Sequence, residues 1–144
     1  MQTDDTAKLL RECNAGIKMG VSSIDDALPS VENAQLRQML DTSKQEHEKL
    51  GNETHNLLNN LDKSGKEPNP VAKTMSWMKT NIKLTMDHSD KTVADLITDG
   101  CNMGVKSLNR YLNQYNSAAE NAKDLTRRLI GVEEKLAVDM RSYL

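Results

Sequence analysis

A chain of 144 residues is one domain's worth, and 37% apolar with 28% charged residues of both signs is the composition of a soluble globular protein, away from the disordered class. A net charge of −2, with 3% aromatics and no Phe, leaves neither the positive footprint nor the stacking rings that nucleic-acid binding uses. No stretch approaches the roughly 20 apolar residues of a membrane span, the acidic start Met1–Asp5 is no secretory leader, and two cysteines make no disulfide framework, so a cytoplasmic protein with reduced thiols is expected.

In chain order, Thr3 or Asp4 can cap a first helix in which Leu10, Cys13, Ile17, Val21, Ile24 and Leu28 recur at steps of three and four. Pro29 ends it, and Ser30 is the expected cap of a second helix, with Glu32 and Asn33 in its first turn. That helix carries Leu36, Leu40, Ser43, His47, Leu50, Thr54, Leu57 and Leu61 on one stripe, three of them polar. Residues 63–70 contain Gly and two prolines and read as a loop. Val71, Met75, Met78, Ile82 and Met86 share the face of a third segment, and Asp87–Asp90 is a cluster of turn and cap residues. Whether a helix runs unbroken over 71–115 or breaks there is left open by the residues, although an unbroken one would reach roughly 65–70 Å, far beyond its partners. Val93, Ile97, Cys101, Val105 (or Gly104), Leu108, Leu112 and Tyr115 form the next stripe. After a turn at Asn116-Ser117 comes the last, through Ala118, Ala122, Leu125, Leu129, Val132, Leu136, Met140 and Tyr143.

The first and last thirds resemble each other. Cys13-Asn14-Ala15-Gly16-Ile17-Lys18 reads against Cys101-Asn102-Met103-Gly104-Val105-Lys106, and without a gap Glu32-Asn33-Ala34 falls on Glu120-Asn121-Ala122. The expected fold is therefore all-α, a single four-helix bundle domain over 1–144. One hairpin (3–62) is duplicated as a second (89–144) through a helical crossover (63–88). That plan resembles the ferritin-like superfamily. Gly65-Lys66-Glu67-Pro68, Trp77 with Lys79, and Asp99-Gly100-Cys101 leading into Tyr111 resemble most closely an uncharacterised bacterial branch of it, a domain of unknown function. The resemblance implies the fold and little about activity.

Ferritin-like metal centres use a carboxylate from each of two helices and a Glu-x-x-His pair from each of the other two, because residues three apart share a face and reach one ion. Here Lys44 stands three before His47 and Asn52 three before His55, and the last helix has Glu133 and Glu134 but no His. On its inward stripe Val132 and Leu136 would seal the site. Counted outward from Pro29, His47 lies level with Cys13 and Glu12. The simplest role for it is a buried ring hydrogen-bonded to Ser43 or to a neighbouring hydroxyl or thiol. Cys13 and Cys101, each three residues before a glycine, read as small packing residues. No phosphate loop, Ser-His-Asp order or zinc-finger spacing is present, so no residue is assigned a catalytic role and no cofactor is expected. Trp77 and Leu84 point away from the apolar face of the crossover helix and suggest an interface, most simply with a second copy in a dimer. The expected function is a homo-oligomeric structural or interaction module. The alternative is a divergent ferritin-like protein or oxidoreductase holding iron, manganese or zinc with Glu12, Glu46, His47 and Asp99.

Overall fold

The computed structural model describes residues 2–61 and 89–144, and all regular structure in them is helical. α1 (Gln2–Ala27), α2 (Ala34–Leu61), α3 (Asp90–Gln114) and α4 (Glu120–Met140) form an all-α bundle, with short 3-10 turns at Leu28–Ser30 and Arg141–Tyr143. The crossover over 63–88, with Trp77, Leu84 and the Gly65–Pro68 motif, lies outside the described residues. So does the question of what precedes Ser89. At Ser89 itself a helix begins: its extended backbone lets the side chain accept from Thr92 N at 3.3 Å, and Asp90 adds negative charge to the first turn.

α1 packs on α2 and α3 on α4 as two hairpins, which meet along the α2–α4 and α1–α3 seams. Every neighbouring pair is antiparallel. His47, Glu53 and Glu46 of α2 meet Glu133, Arg128 and Lys135 of α4, the order running oppositely on the two helices. α2 ends at the Leu9–Ala118 end of the bundle, whereas α3 begins at the Val31–Met140 end.

The turn between α1 and α2 differs from its sequence reading. Ser30 does not cap α2, and Glu32 and Asn33 precede the helix. Pro29 sits at the start of a 3-10 turn that prolongs α1, Val31 is extended and fully buried, and Asn33 is the cap, accepting from Leu36 N at 3.0 Å. Proline within the first turn of a helical segment needs no N–H partner, so it continues the axis here rather than reversing the chain. Arg37 reaches back to the Val31 carbonyl and closes the turn.

Each hairpin supplies the hydrogen bonds that the other's turn lacks. The Asp90 carboxylate, at the start of α3, accepts from Glu32 N and Asn33 N at 2.9 Å each. At the opposite end α1 does the same: Asp5 accepts from Ser117 N at 3.1 Å and Thr6 Oγ1 from Ala119 N at 2.7 Å. These N–H groups have no intrahelical acceptor, and a charged acceptor on one adds about 1.5–3 kcal/mol.

Among the described residues the apolar core is built mainly of aliphatic side chains and lies in three clusters along the axis. Ile24, Val31, Leu40, Ile97 and Leu136 fill one end; Ile17, Leu50, Leu108, Leu125 and Leu129 the middle; Leu9, Leu10, Leu58 and Ala118 the other end. On α2 the stripe runs through Leu58 rather than Leu57, which is half-buried, and Leu61 is exposed. Asp90→Ala is expected to lower unfolding free energy by about 1.5–3 kcal/mol in urea titration, because two N–H donors lose one charged acceptor; no change would mean that water serves the turn equally well.

Candidate functional site

Between the first and middle apolar clusters lies a polar layer with one residue from each helix: Gly20, His47, Gly104 and Glu133. His47 is fully buried and Glu133 is 6% exposed. The ring Nδ1 is 2.7 Å from the Ser43 carbonyl oxygen one turn earlier, and Nε2 is 3.1 Å from Glu133 Oε1. A carbonyl only accepts, so Nδ1 carries a proton and donates it. The bond from Nε2 to Glu133 then needs one further proton, held as imidazolium facing carboxylate or as carboxylic acid facing imidazole. Both forms are neutral overall, which is what a buried pair requires. Burial pulls the imidazole's basicity down, but the hydrogen bond and charge of Glu133, the Ser43 carbonyl and nearby Glu46 together outweigh it and hold His47 above its ordinary value.

The glycines make room for this pair. A Cβ on Gly20 would lie 2.9 Å from both Cδ2 and Nε2 of His47, inside any real contact distance. The ring is held at both nitrogens and cannot step aside without giving up a hydrogen bond. Gly104 faces Glu133 less tightly, since a Cβ there would sit 3.7 Å from Cδ and Oε1, an ordinary contact. Cys101, one turn before Gly104, has its thiol proton held firmly: burial pushes its pKa up, and the charge and hydrogen bond of Glu133 add to that.

A second polar contact joins α1 to α4. Thr126 gives its hydroxyl proton to the Ala122 carbonyl at 2.8 Å, so the Cys13 thiol is the donor in its 3.2 Å contact with Thr126 Oγ1. Burial pushes the Cys13 thiol up to about 12, with Thr126 opposing and Glu12 adding to the rise. Both thiols are therefore buried and held in the protonated form at neutral pH.

Of the four residues considered as metal ligands, only His47 enters this layer. Glu46 is half-buried and faces Lys135 at 3.8 Å, and Asp99 is exposed on α3. Glu12 is half-buried at the level of Tyr115, with its carboxyl pushed up by burial. Among the described residues no three His, Cys, Asp or Glu side chains come together as a metal site. A two-metal centre of the ferritin-like kind does not fit these positions. His47 is level with Gly20, not with Cys13 and Glu12. The pairs Gly20–His47, Ile17–Gly51 and Asp25–Lys44 place the pivot of the hairpin near Ala34, about one turn beyond Pro29. Glu133 was hidden by Val132, which fits the apolar stripe equally well but is only half-buried. The signal that could have found it was the run Leu125, Leu129, Glu133 and Leu136, with glycines on the facing helices.

A groove of about 320 Å³ between α2 and α4 runs beside the pair, lined by Ser43 and Glu46 on one side and Val132, Lys135 and Leu136 on the other. Arg128 bridges the same seam through a two-pronged contact with Glu53 at 2.9 and 2.6 Å. Gly20→Ala is expected to cost about 1–3 kcal/mol by overpacking. Gly131→Ala, at an exposed helical glycine whose added Cβ meets nothing within 4 Å, should gain about 0.5–1 kcal/mol. Urea denaturation of the two variants measures both, and a stabilised Gly20→Ala would contradict the packing described. No family model matches the chain, and neither a curated protein nor a solved structure matches it.

Proposed function

We propose that the chain is a non-catalytic helical module of structural or interaction type that assembles with copies of itself. The observation that carries the first half is that the groups able to do chemistry in the bundle interior are spent on one another. Both nitrogens of His47 are engaged, Glu133 accepts from His47, and both cysteines are buried thiols held in protonated form. A general base or nucleophile needs a substrate atom within hydrogen-bond reach, and this layer leaves none such a place.

The ferritin-like plan and the duplicated hairpin belong to the same reading. They are supported by the neighbour order α1, α2, α4, α3. The equivalent glycines Gly16 and Gly104, each three residues after a buried cysteine, also favour them. Self-association rests on Trp77 and Leu84, and a cytoplasmic setting on the composition and the reduced cysteines. No helix among the described residues is long and apolar enough to cross a membrane.

The test is a pair of measurements on the purified full chain. Sedimentation across a wide concentration range is expected to show a dimer weakened by Trp77→Ala; a monomer at every concentration would refute self-association. Reaction with a thiol reagent at neutral pH is expected to be more than about a hundredfold slower than in the denatured chain, because it needs an opened structure. Fast labelling of either cysteine in the folded protein would reopen a catalytic role.

A further inference from the structure

We infer that the His47–Glu133 pair is a pH-sensitive latch between the two hairpins: it holds α2 to α4 while it carries its one proton, and that seam loosens once the proton is lost. The inference goes beyond the structural role proposed above and rests on the geometry of the layer.

The proton sits between two atoms that otherwise repel. If it leaves, a carboxylate oxygen and a bare ring nitrogen face each other at 3.1 Å in a buried layer, two acceptors with no proton between them. The ring cannot turn to offer its other nitrogen, because Nδ1–H is committed to the Ser43 carbonyl and Gly20 closes the space beside the ring. Among the described residues, α1 places Gly20 against the ring, and α2 holds the Ser43 hydroxyl 3.4 Å from Nδ1, the nitrogen that does not face Glu133. α3 presents the Cys101 thiol, whose proton burial and the charge of Glu133 hold in place. α4 presents Glu133 itself and, at the rim, Lys135. α2 adds Glu46, which faces Lys135. A further bridge across the seam, Arg128 with Glu53, stays charged from neutral to alkaline pH and adds no pH dependence of its own there. The α2–α4 groove brings solvent to Ser43 and Val132, neighbours of the pair on each helix.

The direction follows from linkage. In the folded chain His47 is held above its ordinary value of 6.5, to which the unfolded chain returns. Its contribution is complete below about 6.5 and is lost as pH rises through the folded-state value. Across that window the folded form binds one proton more than the open form, so opening becomes about tenfold easier per pH unit, and above the window the dependence ends.

Amide hydrogen exchange of the full chain between pH 6 and 9, corrected for the intrinsic rate, tests this at the amides of α2 and α4 flanking the pair. The corrected opening is expected to rise about tenfold per pH unit above 6.5 and to level off where the His47 ring itself titrates by NMR. In Glu133→Gln the side-chain amide donates to Nε2 without titrating, and opening should be flat over the same range. A flat wild-type profile, or the wild-type slope persisting in Glu133→Gln, would overturn the latch. Should Glu133→Gln fail to fold, the wild-type chain alone decides: a slope that runs unbroken past the titration of the ring overturns it, and a slope that ends there supports it.

Discussion

One proton, shared between His47 Nε2 and Glu133 Oε1, constrains the rest of this bundle. A buried imidazole and a buried carboxylate are tolerable only as a neutral, fully hydrogen-bonded unit. That condition dictates their surroundings. The Ser43 carbonyl fixes the tautomer, Gly20 admits the ring, and Gly104 leaves space beside the carboxylate. Four helices thereby contribute to one layer, and sliding any of them by a turn would strand a polar group in an aliphatic core.

Such a layer is poor evidence for added stability. Replacing a buried ion pair by well-packed apolar residues is often neutral or stabilising, whereas removing one partner costs about 3–5 kcal/mol. Its physical contribution is register. The aliphatic clusters on either side are built from Leu, Ile and Val that could pack in several offsets. The polar layer permits one, and the reciprocal contacts of Asp90 with the first turn and of Asp5 and Thr6 with the second fix the ends to match. The two hairpins are thus joined at both ends by side chain-to-backbone hydrogen bonds and in the middle by a shared proton.

Much of this is legible in the residues. The steps of three and four in α1 and α2 locate Leu10, Cys13, Ile17, Ile24, Leu36, Leu40 and Leu50, and Ser43, His47 and Thr54 are buried on the expected stripe. Ser89 starts α3 because a capping residue with an acid behind it is a local signal. Two features escaped for physical reasons. Pro29 reads as the end of the first helix, but proline is equally at home in the first turn of a helical segment, and the chain reverses only at Val31–Asn33. Counting from Pro29 rather than from Ala34 sets His47 against Cys13 instead of Gly20. Glu133 escaped because periodicity counts apolar residues, and Val132 next to it satisfies the count. Only the facing helices, with glycine where a side chain would collide, distinguish the two. A buried carboxylate is a tertiary fact: its partner lies on another hairpin, 86 positions away in the chain.

The interior of this protein therefore does its proton chemistry with itself, and the same proton that closes the layer ties its integrity to pH. The most direct measurement is the ¹⁵N NMR of the His47 ring in the folded chain at pH 6. A protonated Nδ1, with Nε2 carrying or sharing a second proton, is the state required by the contacts to Ser43 and Glu133. A neutral ring protonated at Nε2 with a bare Nδ1 could not donate to the Ser43 carbonyl, and would contradict both the shared proton and the register it is said to fix.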